Sequence, residues 1–357
     1  MTPEISILAL FILITLGYWI LLTRSGFFSD RYYLELLFLF GSGMLGLAFL
    51  ARYQPPPGDS TGWYVILVAF VALFAILSSL LGLAKLFLLQ GDRPRRLKSL
   101  ERSSARFNAP TRRVKIRTED NVRIQVVHLV GETPRDKVVI SCHGGGRHKD
   151  IYAAVATCEY LFQDYDVITF DFRGHRESGG VWRGDGSAGL DVKAVIDYAR
   201  QQGYQRVGVV GWSLGAWAAV IAAAEFQGMD ALVAAAPPPT DFRDVGLTKP
   251  LMDWGYKPWA FPLRVLIRFA RGLNIGRPES FPSLMDYVEK VAPVPLLIVC
   301  NTYDRVIGMP EGRFRELFER ANEPKDFFVI DAPGHIYDWP STITYLLQLR
   351  KWLGEML

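Results

Sequence analysis

The sequence predicts an α/β fold: a mostly parallel sheet with helices on both faces and a small cap insertion, preceded by an all-α region of three transmembrane helices. Three observations predict it. Beyond about residue 136, short apolar runs of strand length alternate with helix-length segments, the pattern of a parallel sheet covered on both sides. Before residue 90, three long apolar runs carry few charges, as bilayer-crossing helices do. A short, strongly basic stretch separates the two regions.

The first apolar run, Ile5 to Leu22, has no charged residue. At about 1.5 Å per residue it is long enough for a hydrocarbon core of about 30 Å. It lacks the basic leader and the small-residue cleavage site of a signal peptide, so it reads as a span. The second, about 33–51, carries Gly41, Gly43 and Gly46, small residues that let membrane helices approach closely. The third, about 63–89, opens on Trp63 and Tyr64, placed as interfacial anchors. A proline-rich turn, QPPPGDSTG, joins the last two.

Charge sets the orientation. The chain has 40 Lys+Arg against 36 Asp+Glu, a net +4, but the excess is local. Residues 91–117 hold ten basic side chains against Asp92 and Glu101. Basicity confined to one linker, about 91–110, does not describe a nucleic-acid surface, and no nucleic-acid partner is expected. By the positive-inside rule the linker stays cytoplasmic. The expectation is therefore an integral, multi-pass membrane protein with the lipid bilayer as a partner and residues 111–357 in the cytoplasm. The linker reads equally as a patch on anionic headgroups or as a solvated flank.

Half of the chain is hydrophobic and 21% is charged, which excludes a disordered protein. Its three cysteines, Cys142, Cys158 and Cys300, sit in apolar runs. They read as buried thiols, with no disulfide framework and no zinc spacing. No metal or cofactor is expected.

Within 111–357, TRRVKIRTEDNVRIQVVHLV reads as two alternating strands joined by a polar turn at Glu119–Asn121. KVVISC, DVITFDF, RVGVVG, ALVAAA, PLLIVC and DFFVIDA are the further strands. Helical spacing covers Ile151 to Phe162, Ala188 to Gln201 and Leu214 to Phe226. The stretch about 240–291 lacks a strand pattern and reads as the cap. Within it, KPWAFPLRVLIRFARGLN is amphipathic, with Leu263, Leu266, Ile267 and Ala270 on one face and Arg264, Arg268 and Arg271 on another. That face packs over the site or lies in a bilayer interface.

Ligands in such sheets bind beyond the carboxyl ends of the strands, and the motifs lie there. Gly211-Trp212-Ser213-Leu214-Gly215 falls between a strand and a helix, the context of a G-x-S-x-G nucleophile elbow. His143-Gly144-Gly145-Gly146 directly follows another strand. Its glycines leave backbone N–H groups free to point at an anionic oxygen, so an oxyanion hole would combine the N–H of Leu214 with that of Gly144 or Gly145.

These motifs resemble the α/β-hydrolase family of serine hydrolases, esterase- and lipase-like, over about residues 110–357. The resemblance implies an α/β-hydrolase fold and a serine, acid and histidine in that chain order. Ser213 is the nucleophile, Asp304 in NTYDRVIG the acid and His335 in DAPGHIYDW the base. Asp241 and Asp244, after ALVAAAPPPT, are the rival acids, and Asp331 and Asp338 flank the histidine too closely. DFRGHRESGG, Asp171 to Gly180, is similar to the family's D-x-R-G-x-G-x-S loop, with Arg176 in place of the second glycine. His143, Trp212, Arg173 and His175 are candidate site-lining residues, although His175 reads equally as a satisfied surface histidine.

The function implied is hydrolysis of a carboxylic ester or thioester through an acyl-enzyme. The anchor suggests a lipid-like ester substrate, or a small-molecule one that partitions into the membrane. A peptidase or acyltransferase on the same triad, or a non-catalytic membrane-tethered binding module, stays open; the oligomeric state is not read from the sequence.

Overall fold

A computed structural model describes residues 110–240, 273, 274, 276, 281–336 and 341–357. All belong to the compact unit Gly91–Leu357. The three expected transmembrane helices, the linker 91–109 and the amphipathic stretch of the cap up to residue 272 lie outside the described residues. Among the described residues no helix is long and apolar enough to cross a membrane.

The elements run β1 (Thr111–Arg117), β2 (Arg123–Leu129), β3 (Lys137–Cys142), α1 (Tyr152–Leu161), β4 (Asp166–Phe170), α2 (Ala188–Gln201), β5 (Arg206–Trp212), α3 (Leu214–Phe226), β6 (Ala231–Ala235), β7 (Leu296–Asp304), β8 (Met309–Pro310), α4 (Glu311–Arg320), β9 (Lys325–Pro333) and α5 (Ser341–Met356). Among the described residues they build one sheet in the order β1-β2-β4-β3-β5-β6-β7-β8, with β9 also paired to β7. β1/β2, β2/β4 and β7/β8 are antiparallel. The pairings β4/β3, β3/β5, β5/β6, β6/β7 and β7/β9 are parallel. The sheet is thus mixed at its edges and parallel in the middle.

The β1–β2 hairpin turns at the polar run Glu119 to Asn121, as expected. Val122 N–H donates to Thr118 Oγ1 at 2.9 Å, and Asn121 takes φ 64°, a left-handed conformation that asparagine tolerates well.

Strand alternation sorts the core into two layers. Val138, Ile140, Ile168, Val207, Val209, Leu232 and Ile298 pack with α2 and α3. Val139, Val167, Val210, Val233, Leu297 and Val299 pack with α1 and α5. Each such Val, Leu or Ile withdrawn from water contributes about 1.5–3 kcal/mol. The alanine-rich α3 is buried on every side through Ala223, and its small side chains bring it close to both the sheet and α2. Residues 281–291 were expected to close the cap. Instead Phe281, Leu284, Val288 and Val291 are buried in the core on the α2/α3 side. Their spacing of three and four residues, carried on two 3-10 turns, supplies one apolar face.

The three cysteines are buried free thiols. Burial pushes Cys158 and Cys300 up to about 12 and raises Cys142 further, so they act as small apolar groups.

Candidate active site

The parallel strands β5, β7 and β9 end on the same edge, so Ser213, Asp304 and His335 leave the sheet together. Ser213 sits between the last residue of β5 and the first of α3, at φ 52° and ψ −121°. This conformation costs a non-glycine residue about 1–3 kcal/mol. Its N–H donates to Ala235 O at 2.8 Å, and its carbonyl accepts from Trp217 N–H at 3.0 Å. Those two bonds hold the turn. The flanking glycines are steric necessities: a Cβ on Gly211 would meet Gly215 carbonyl atoms at 2.5 Å, and one on Gly215 would overlap the Cys142 carbonyl. The elbow is therefore pressed against the end of β3, where the glycine loop begins.

That loop reaches the serine. A Cβ on Gly144 would stand 3.5 Å from Ser213 Cβ and 2.7 Å from Trp212 Nε1, and one on Gly145 would stand 3.5 Å from Leu214 Cβ. Leu214 opens α3, so its N–H has no intrahelical acceptor. Gly146 N–H is taken by His175 Nε2 at 3.3 Å, and Arg147 N–H by Gly144 O at 3.2 Å. Leu214, Gly144 and Gly145, the residues whose N–H groups the sequence singles out, lie at this contact.

Asp304 is fully buried at the end of β7. Its Oδ1 accepts from Val306 and Ile307 N–H, both at 2.9 Å, and its Oδ2 from His335 Nδ1–H at 2.7 Å. With both oxygens engaged the carboxylate cannot rotate. Opposite a carboxylate, Nδ1 carries the hydrogen and Nε2 presents its lone pair. Of the rival acids, Asp331 is exposed on β9; Asp241, Asp244 and Asp338 lie outside the described residues.

Of the four site-lining candidates, Arg173, His143 and His175 are buried and hydrogen-bonded within the protein. Arg173 is buried and committed: its Nη1 donates to Asp120 Oδ2 at 2.6 Å, and its Nε to Asp191 Oδ1 at 2.9 Å. His143 and His175 are also buried, so neither is a surface histidine. His143 Nδ1–H donates to Gly144 O at 2.8 Å while Nε2 accepts Phe172 N–H at 3.1 Å. Burial holds both imidazoles down at about 3, and they stay neutral acceptors. Trp212, the residue before Ser213, lies against the glycine loop through its indole Nε1.

Lys149 is the residue that sequence reasoning missed. It is only 1% exposed, and its Nζ bonds Asp171 Oδ2 at 2.9 Å, Asp150 Oδ2 at 3.1 Å and Glu177. Burial opposes its charge, but Asp171, Asp150 and Glu177 outweigh it and raise the ammonium's pKa. Its own N–H binds Asp171 Oδ1 at 2.9 Å. Apart from Asp150 its partners lie 22 and 28 residues away, so no local pattern announces it.

Residues 138–342 match the model of the alpha/beta hydrolase family. The chain belongs to that family. Among solved structures, the hydrolase domain is similar to the Pyrococcus furiosus esterase Pf2001, at 25% identity and TM-score 0.55, over 71% of this chain and 92% of that one. It shares its fold with PA2218 of Pseudomonas aeruginosa (16%, TM-score 0.57, 75% of this chain and 99% of that one). GrgF from Penicillium sp. sh18 also shares it (18%, TM-score 0.54, 69% and 99%). No curated protein matches the chain. Arg176, which replaces a glycine of the family pattern, keeps a left-handed backbone at φ 43°.

Proposed function

We propose that the chain is a serine hydrolase that cleaves a carboxylic ester or thioester through an acyl-enzyme. The observation that carries this reading is the glycine loop abutting Ser213 and Leu214 at a strained strand-to-helix turn. Similarity to an esterase supports the ester class.

In the proposed reaction Ser213 Oγ attacks the acyl carbon and its proton passes to His335 Nε2, while Asp304 holds Nδ1–H. The carbonyl π pair moves to oxygen, where the N–H groups of Leu214 and of Gly144 or Gly145 meet the negative charge. Collapse of the intermediate breaks the bond to the alkoxide or thiolate, which takes the proton from His335. Water, deprotonated by His335, attacks the acyl-serine and releases the acid and Ser213.

The test is fluorophosphonate labelling of the detergent-solubilised chain beside Ser213→Ala. Labelling of the wild type alone supports an activated serine at 213. Absence of labelling in folded wild type overturns the reading.

The membrane half of the proposal rests on the apolar runs at about 5–22, 33–51 and 63–89 and the basic linker. It makes the protein multi-pass, with the hydrolase domain in the cytoplasm and a lipid-like ester as substrate. Carbonate-resistant membrane association and protection of residues 111–357 from external protease in sealed cells are the expected results. Extraction by carbonate sinks the anchor, and preference for short soluble esters sinks the lipid substrate.

A further inference from the structure

Two features of the glycine loop define what must hold it. Gly144 O accepts from both His143 Nδ1–H and Arg147 N–H. In a trans peptide the N–H points opposite to the C=O, so these bonds turn the Gly145 N–H away from His143. The next peptide is held from its far side. Gly146, at φ 64°, gives its N–H to His175 Nε2 at 3.3 Å. The His175 ring is itself set by Nδ1–H donating to Arg173 O at 2.9 Å, and it stands 5.1 Å from the ring of His143.

The backbone of the same residue faces the other way. His175 forms an isolated antiparallel bridge with Leu273, on the segment that returns from the insertion. Around it, Asn274 N–H donates to Gly174 O at 2.6 Å, Trp182 N–H to Asn274 O at 3.0 Å and Gly276 N–H to Trp182 O at 2.8 Å. Asn274 Nδ2 adds a bond to Gly180 O at 3.0 Å. A Cβ on Gly174 would strike Asn274 O and Trp182 N, both at 2.5 Å, so the loop and the returning segment are in closest contact beside His175.

We propose that His175 is a positioning residue that ties the returning segment of the insertion to the oxyanion loop, its side chain holding Gly146 while its backbone pairs with Leu273. The assignment rests on the acyl-transfer reading above. It makes His175 a determinant of turnover that never touches substrate. Loss of the Nε2 acceptor frees the Gly145–Gly146 peptide to rotate and misplaces the neighbouring donor, where small displacements are costly.

The test compares His175→Asn with His175→Gln in the full chain. Asparagine keeps a donor for Arg173 O but is too short to accept from Gly146; glutamine reaches Gly146 with Oε1. The Asn variant is expected to lose about 10–100-fold in kcat on a p-nitrophenyl ester, with KM within about twofold of wild type. Its Ki for a trifluoromethyl ketone, which forms a tetrahedral oxyanion on Ser213, is expected to rise by the same factor. Affinity for the carboxylic acid product is expected to be unchanged. The Gln variant recovers most of both losses.

A His175→Asn variant with wild-type kcat overturns the proposal, as does equal loss in both variants or a loss confined to KM. Should His175→Asn fail to fold, the Gln variant decides: turnover and ketone Ki near wild type support the acceptor role, and a folded Gln variant with both impaired overturns it. A wild type that labels and turns over while His175→Asn matches it defeats this inference alone. A wild type without labelling or turnover overturns the proposed function and this inference with it.

Discussion

The sheet carries similar chemical ingredients at its two ends and uses them differently. At the carboxyl ends of the strands stand a hydroxyl, an imidazole and a buried carboxylate: Ser213, His335 and Asp304. At the amino ends stand His128, Tyr204 and Asp166. There, His128 Nε2 meets Tyr204 Oη at 2.8 Å and Nδ1 meets Tyr198 Oη at 3.2 Å, while Tyr204 Oη donates to Asp166 Oδ2 at 2.5 Å. Asp166 Oδ1 accepts Gly131 N–H at 2.8 Å.

Every member of the second set points inward and is consumed by its neighbours. The hydroxyl gives its proton to the acid, both imidazole nitrogens are occupied by phenols, and each residue sits in or beside a regular strand. At the first end the hydroxyl stands on a strained turn, with a glycine loop pressed against it. Residue types alone therefore do not distinguish the two ends; backbone strain and the close approach of a glycine loop do.

Activity and stability should separate along the same line. Ser213→Ala is expected to remove about 10⁴–10⁶ of the ester turnover, and Asp304→Asn about 10⁴, both with melting temperatures near wild type. Initial rates beside calorimetry check this. Turnover retained in either variant breaks the comparison at its catalytic end.

Acid should act on the buried imidazoles at both ends. Burial lowers His128 to about 4, and His143 and His175 to about 3, from 6.5. Folded-state values below the unfolded ones mean that the unfolded chain binds more protons. Stability present above pH 6.5 is then lost as pH falls toward 4. Urea midpoints measured from pH 7.5 to 4.5 should drop steadily; a flat profile contradicts the burial of these rings.

Tyr204→Phe leaves His128 and Asp166 short of a partner inside the protein, and should cost about 1–3 kcal/mol of stability without altering kcat. A fall in kcat at unchanged stability would mean that the amino-end network reaches the site. The smallest effect is expected at Arg176. Its exposed side chain sits on a backbone at φ 43°, so Arg176→Gly should gain about 0.5–1 kcal/mol in denaturant titration.

The contrast also explains what was legible beforehand. The elbow and the glycine loop are contiguous in sequence, and their glycines are forced by close backbone approach, so they stand out as short motifs. The continuous apolar runs of β3 to β7 follow from a sheet buried on both faces. The ion pairs of Arg173 with Asp120 and Asp191 join residues 53 and 18 positions apart, and nothing local encodes them. The reading also leaves α4 unassigned, because only Phe314 and Leu317 of its ten residues are buried and the rest is mostly charged. It leaves α5 unassigned although Tyr345, Leu349, Trp352 and Leu353 keep helical spacing. The braces His143 and His175 look from sequence like lining residues, because a motif gives proximity along the chain and not the direction of a ring.

The abutment of Gly144 on Trp212 and Ser213, with Gly215 locked against the end of β3, has an evolutionary consequence. Ser213 and the glycine loop pack as one body, and a side chain added at 144, 211 or 215 would meet its neighbours closer than 3 Å. On the proposed function, a change in substrate preference enters more readily through the segments around that body than through the body itself.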